Sequence, residues 1–275
     1  MENSDCRLNS SEAEQLCIFL LTGDLHGRLS ADAEAQLSRL RREQENTLLL
    51  DAGDAVQASN LGAGRPGQPL LERMNRIGYD AMAMGNRESH PLRAVLEKKL
   101  SRATFPILAA NLMAKRQPLP SSVKSHIIKT LANGWRVALI GLAPQITAPE
   151  SWWSRVTDYV FDDPMKAATG LAAKLRPQVE LIVLLTHCGL AIDRQLSKIK
   201  DVDLVLGGHS HEEVFLTEAG APILHSGWGG KNFGLVEVTG TRLGIGFGGG
   251  FIHRLVEFRI VVLGIVVAIG GHQNF

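Results

Sequence analysis

Five times along this chain a short apolar run stops at a side chain able to ligate a metal. Cys17–Thr22 runs into Asp24 and His26, Thr47–Leu50 into Asp51 and Asp54, and Tyr79–Met84 into Asn86. Leu181–Thr186 runs into His187, and Val202–Leu206 into His209 and His211. Unbroken apolar runs of this length read as buried strands. Between the first two, Ala31–Gln44 carries Ala33, Leu37 and Leu40 at helical spacing with charges elsewhere. That predicts an amphipathic crossover helix, and with its flanking strands a parallel βαβ unit.

The same reasoning predicts helices at Pro69–Ile77, stopped by Gly78, and at Leu92–Leu100, led in by Pro91. A helix at Met165–Leu175 is capped by Asp162-Asp163-Pro164. A short helix is expected between the strands Leu181–Leu185 and Leu204–Leu206. Further strands are expected at Phe105–Ala110 and Trp135–Leu142, with late antiparallel strands at Ile223–Leu224, Gly234–Val238 and Leu255–Val262. Stretches 55–67, 114–126 and 145–160 read as loops or irregular chain. The Gly-rich stretch 240–250 reads as a flexible hairpin, since it does not open a helix after a strand as a phosphate-cradling loop does.

Composition narrows the function classes. A chain of 275 residues that is 45% hydrophobic supports a sizeable core, and a net charge of +1 calls for neither nucleic acid nor an anionic membrane. Three cysteines without CxxC spacing are no disulfide framework, and Cys188, beside His187, is expected to be a core thiol. The first residues are polar and acidic, unlike a secretory signal. Ile260–Ile269 is apolar, but Gly264 interrupts it and it is too short to span a bilayer. The expectation is a cytoplasmic protein with a polar arm over 1–16 and a single domain over 17–275.

The strand ends bring Asp24, His26, Asp54, Asn86, His187, His209 and His211 to one sheet edge. Asp24 and His26 are two apart, so an extended backbone sends both to one side. Gly-His-Ser-His at 208–211 repeats that spacing after a double glycine. One turn Asp or buried His is ordinary, but these residue types at five strand ends point to metal. Asp51 competes with Asp54, which is preferred because Gly53 frees the backbone before it. Seven ligands exceed the three of a catalytic zinc site. They suit two ions about 3.5–4 Å apart sharing a carboxylate. The mixed nitrogen and oxygen set favours Zn, Mn, Fe or Co. Two such ions polarise a phosphoryl group and acidify water, so hydrolysis at phosphorus is the expected chemistry.

The blocks DLHG (24–27), GDA (53–55), GNRE (85–88), THCG (186–189) and GHSH (208–211) resemble, in order, those of the calcineurin-like metallophosphoesterases. GDLHG, LLLDAGD, AANL (109–112), GGHSH and HSGWGGKNFG (225–234) are most similar to the catalytic domain of bacterial 5'-nucleotidases, over roughly residues 17–262. The resemblance implies an α/β fold, a four-layer αββα sandwich of two mixed sheets flanked by helices. It implies that Asp24, His26 and His211 hold one divalent ion and Asn86, His187 and His209 the other, with Asp54 bridging.

Two departures accompany the resemblance. The family's counterpart of GNRE reads GNHE or GNHD, its His assisting the leaving group, with an Asp three residues later in the nucleotidases; here those positions are Arg87 and His90. Arginine keeps its proton, but its planar fork matches phosphate. Arg87 is expected to clamp the phosphoryl group, making Asn86, Arg87 and His90 the catalytic set. His90 is the expected acid or, equally, a helix-start residue beside Pro91. The second departure is length: no C-terminal nucleotide-binding domain is expected, so recognition falls to loops. Arg87, Asn111, His225 and Trp228 are the candidate substrate contacts, while Trp152 and Trp153 are expected to pack. The expected function is a dinuclear phosphomonoesterase on a small phosphate ester such as a nucleotide. A cyclic-nucleotide or other phosphodiesterase is the alternative enzyme, and a metal-binding regulatory protein weakened by Arg87 the alternative outside enzymes. Nucleic acid and membrane partners are not expected.

Overall fold

The computed structural model describes residues 15–59, 61–62, 69–217 and 220–240. Its strands and helices in chain order are β1 (Gln15–Thr22), α1 (Ala31–Glu43), β2 (Thr47–Asp51), α2 (Pro69–Ile77), β3 (Ala81–Ala83), α3 (Arg93–Leu100), β4 (Ile107–Leu108), β5 (Leu112–Ala114), β6 (Val123–Lys124), β7 (His126–Thr130) and β8 (Arg136–Leu142). Then follow β9 (Tyr159–Phe161), α4 (Pro164–Leu175), β10 (Leu181–Thr186), α5 (Leu190–Leu196), β11 (Leu204–Gly207), β12 (Glu213–Leu216), β13 (Ile223–Ser226) and β14 (Gly234–Gly240).

The strands form two six-stranded mixed sheets, ordered β14-β1-β2-β3-β4-β6 and β12-β13-β11-β10-β8-β7, and a small β5-β9 pair. In the first sheet β14 runs antiparallel to β1, and the other pairs are parallel. In the second, the edge strands β12 and β7 are antiparallel to their neighbours.

Alternation along each strand builds the layers. Cys17, Phe19 and Leu21 of β1 join Leu139, Val183, Leu185 and Leu206 of the other sheet in one cluster between the sheets. Ile18 and Leu20 point the other way, onto Leu37, Leu71, Met74 and Leu96 of α1, α2 and α3. Ile140, Ile182, Leu184 and Val205 back onto Ala168, Ala172, Leu175 and Leu196 of α4 and α5. Both faces of each sheet are therefore apolar, and each fully buried Leu or Ile contributes about 1.5–3 kcal/mol. The expected four-layer αββα sandwich results.

Caps follow the sequence: Ser30 Oγ accepts from Ala33 N–H at the start of α1, and Asp163 does the same for Met165 ahead of α4. The strand expected over 79–84 narrows to β3, because Asp80 uses its carboxylate to accept the Leu49 N–H instead of its side chain facing a layer. β6 and most of β9 lie in stretches read as loop or irregular, and β12 with most of β5 and β7 in stretches assigned no element. β7 is half-exposed along an edge without clean alternation, and β5 and β9 hold three residues each. Gln15 and Leu16 already belong to β1; the rest of the expected arm, the strand at 255–262 and the apolar 260–269 run lie outside the described residues. Among the described residues no helix is long and apolar enough to cross a membrane.

Candidate metal centre

Asp24, His26, Asp54, His209 and His211 all have positive φ, between 49° and 80°, and among the described non-glycine residues only Asn46 shares this. Left-handed backbone costs such residues on the order of 1–3 kcal/mol each, and it persists only where its surroundings enforce it. Here neighbouring turns do so. Asp24 N–H donates to the Gly53 carbonyl, His26 N–H to that of Asp54, and Gly229 N–H to that of Asp24, each at 2.9 Å. Gly53 has no alternative: its φ is +98°, and a Cβ would lie 2.8 Å from Gly85 N and 2.9 Å from His187 Nδ1.

The side chains on these turns converge. Asp24 Oδ1 lies 3.3 Å from His211 Nε2, 3.7 Å from His26 Nε2 and 3.8 Å from His187 Nε2. Asp54 faces the same rings with two different oxygens, Oδ2 3.6 Å from His26 Nε2 and Oδ1 3.4 Å from His187 Nε2. The His209 ring meets that of His187 edge-on at 4.9 Å. Two groups, Asp24–His26–His211 and Asp24–Asp54–His187, each keep their ligand atoms within 4.8 Å of one another. Asn86 opens the turn after β3, where its carbonyl accepts from Ser89 Oγ at 2.7 Å.

These residues fit a divalent metal. Asp24 Oδ1, His26 Nε2 and His187 Nε2 are buried without a hydrogen-bond partner. A buried polar atom left so costs about 1–3 kcal/mol, and these three face one another, as acceptors around a cation do. His187 is oriented for this, with Nδ1 2.8 Å from the Ala52 carbonyl and Nε2 left to the cluster. Burial opposes charge on Asp54, yet the His187 and His26 rings and the Arg87 N–H hold its carboxyl well below the usual range. The neighbouring carboxylates, Asp54 first, outweigh burial at His187 and push it up to about 9.

Two buried carboxylates that the sequence reading left without a role fasten the turns. Glu88 Oε2 accepts from Asp54 N–H (2.8 Å) and Gly85 N–H (3.0 Å), and Oε1 accepts from Val56 N–H (3.0 Å). Asp193 accepts from Thr186 Oγ1 (2.7 Å) and lies 2.8 Å from His225 Nε2. Glu88 had a signal: it is the acid of a turn that directly follows a buried strand. Asp193, inside an ordinary short helix, had none.

Several expected roles are corrected. His225 is not at the substrate surface: it is 2% exposed, with Nε2 on Asp193 and Nδ1 3.4 Å from Ser210 Oγ. Asn111 is equally buried and spends its amide on the Ala143 N–H and carbonyl and the Asp162 carbonyl. His90 Nδ1 accepts from Leu92 N–H at 3.0 Å, so the ring caps the start of α3. Burial, then the Lys99 charge, lowers its pKa. Trp152 and Trp153 do not pack into the core; they stack on each other at 4.3 Å and are 61% and 58% exposed. Asp51, already passed over in favour of Asp54, takes no part in the cluster: it accepts from Thr22 Oγ1 and Gly53 N–H, and burial pushes its carboxyl well up. Cys188 matches its expectation as a packed thiol: it donates to the Ala143 carbonyl, and burial pushes its pKa up.

Arg87 and Trp228 do stand at the cluster. Arg87 donates its backbone N–H to Asp54 Oδ1 (2.7 Å) and holds Nε 3.4 Å from Asp54 Oδ2. Trp228, half-exposed, stacks on His211 at 5.6 Å.

Comparison with known proteins bears on the family and the fold. The model of the calcineurin-like phosphoesterase family matches residues 18–213. Human 5'-nucleotidase is 32% identical over 218 residues, covering 70% of this chain and 38% of that protein. The chain thus spans well under half the length of that curated relative. The structure of a 5'-nucleotidase precursor from Thermus thermophilus superposes with a TM-score of 0.69 at 25% identity, covering 82% of this chain and 51% of its own. That of the Haemophilus influenzae NAD nucleotidase gives 0.71 at 21% identity, covering 85% and 55%, and shows the shared fold.

Proposed function

The chain belongs to the calcineurin-like phosphoesterase family and is a metal-dependent phosphoesterase, and from there we propose a phosphomonoesterase with a dinuclear centre, acting on small substrates of the nucleotide kind. One observation carries the reading: the two overlapping ligand groups, in which three buried facing atoms, Asp24 Oδ1, His26 Nε2 and His187 Nε2, lack hydrogen-bond partners. Asp24, His26 and His211 would hold one ion, and Asn86, His187 and His209 the other. Asp54 suits the position between them, since each of its oxygens faces a ring from a different set. Both Asp24 and Asp54 reach rings of both sets, which supports a shared carboxylate. When bound, two ions of the Mn, Zn, Fe or Co kind polarise a phosphoryl group and acidify water.

The chain's own residues do the rest. Glu88 and the Ala52 carbonyl fix Asp54 and His187 in place before any substrate arrives. Arg87, steered by Asp54, presents its guanidinium to the phosphoryl oxygens, where charge grows in the transition state. Arg87 cannot protonate a leaving group, and His90 is occupied as a cap. Turnover should therefore fall steeply as the leaving group becomes more basic.

The test is the Mn-reconstituted chain against p-nitrophenyl phosphate, alkyl phosphates, nucleoside monophosphates and bis-p-nitrophenyl phosphate, with Asp54→Asn as the blank. Monoester turnover that exceeds diester turnover and vanishes in the blank is expected. Faster cleavage of the diester would sink the phosphomonoesterase reading.

A further inference from the structure

Beyond Arg87 the same turn runs on into a different environment. Ser89, His90 and Pro91 form one wall of a cavity of about 280 Å³, closed elsewhere by Leu61, Ile146, Trp153, Tyr159 and Phe161. Among the described residues that line it, none is Asp, Glu, Lys or Arg. Four of its apolar side chains are far more exposed than core residues: Leu61 75%, Trp153 58%, Val156 49% and Ile146 43%. An apolar hollow open to water is unfavourable unless something fills it.

Lys99 ties this hollow to the phosphoryl site. Its ammonium donates to the carbonyls of Arg87 (2.8 Å), Ser89 (2.9 Å) and Ser59 (3.0 Å). The residue beside Asp54, a residue of the cavity wall and the stretch leading to Leu61 therefore meet at one nitrogen. The lining of the hollow begins at Ser89, two residues past Arg87. The volume, at the low end for ligand pockets, admits one ring system rather than a second nucleotide. The neutral lining rejects a charged group, and Trp153 and Tyr159 offer aromatic surface to a flat one.

We propose that this cavity is a leaving-group subsite that takes one planar, uncharged aromatic ring, a nucleobase or an aryl group, of the ester whose phosphate sits at the Asp24–Asp54 cluster. As a statement about substrate it rests on the phosphomonoesterase reading; as a binding site it is testable without catalysis. Titration calorimetry on the metal-free chain with adenosine, 2-naphthol and glycerol reads ring binding directly. The ring compounds should bind saturably and glycerol should not. Trp153→Ala should weaken ring binding about tenfold, the scale of one lost stacking partner, and Val156→Arg, at an exposed position, should do so by charging the hollow. The tighter of adenosine and 2-naphthol identifies the ring class. With Mn added, KM for the matching phosphate should rise in both variants. Ring binding that is absent, or unchanged in both variants, overturns the subsite whether or not the chain hydrolyses monoesters. Ring binding that is lost in both variants upholds it, even if no monoester turns over and the catalytic reading falls alone.

Discussion

Residues 53–56 and 85–88 differ from residues 146–157 in almost every physical respect, although one turn joins them. On the first side the backbone is bent into costly left-handed turns, and Glu88 accepts from three backbone N–H groups. Asp54 is buried and held by Arg87 and two histidines. On the second side the chain forms a single short turn with two tryptophans stacked in the open. The first side stores strain and fixes geometry, as metal ligation requires to within fractions of an ångström. The second has little to lose from substitution, so it is where a change of substrate can occur without disturbing the reaction.

Substitutions on the two sides should therefore separate cleanly. The largest effect is expected for Asp54→Asn, which removes the charge of a carboxylate facing both His26 and His187. Turnover should fall about 10³-fold or more, with a loss of bound metal measured by elemental analysis. Next comes Glu88→Gln, which keeps the shape but loses the charge and one acceptor. Metal affinity should drop roughly 10–100-fold, as when support behind a ligand is removed, with a stability loss of about 1–3 kcal/mol in denaturant titration. Unchanged metal affinity would mean that Glu88 does not set the turn. Ile146→Ser, on the exposed side, should stay within about 0.5 kcal/mol of the parent. A loss as large as that of Glu88→Gln would erase the contrast between the two sides.

A further test concerns Lys99, which belongs to both sides. Burial pulls its pKa from 10.5 down to about 8, against the pull of the Glu88 and Asp54 carboxylates. The unfolded chain thus binds the proton more tightly than the folded one. Stability should rise as pH climbs from about 8 to 10.5, and the rise should end above that. Lys99→Met should flatten the slope in thermal melts taken across that range. A slope that survives the substitution would place its origin elsewhere.

The same contrast explains what could be read from the chain. Ligand turns are legible because buried strands are apolar throughout and end abruptly, so Asp24, Asp54 and His187 stand out against leucine and valine. The layers were legible for the same reason. The hollow was not, because a cavity depends on how 61, 90, 146, 153 and 159 come together, and no periodicity links them. Trp152 and Trp153 looked like core by residue type, and only the fold shows that both are more than half exposed. His225 and Asn111 show the reverse error: they lie at sheet edges near the cluster in sequence terms, but hydrogen bonds within the scaffold consume their polar atoms. Whether a polar side chain at a strand end faces ligand or scaffold is decided by its partners, which are distant in sequence.

The pairing of β14 with β1 has a bearing on how the molecule is made. Gln15 lies opposite Gly240 and Leu21 opposite Gly234, so the first strand of the described chain waits for the last. Every strand of the second sheet is synthesised in between. During translation the turn bearing Asp24 and His26 can gain its full sheet only after some 200 further residues have left the ribosome, at roughly 5–20 residues per second. Contacts of such sequence separation slow folding, and until closure β1 offers an open edge to other nascent chains. Assembly of the ligand ring should thus be among the final events of folding, and a chain interrupted before Gly234 should aggregate rather than fold around metal.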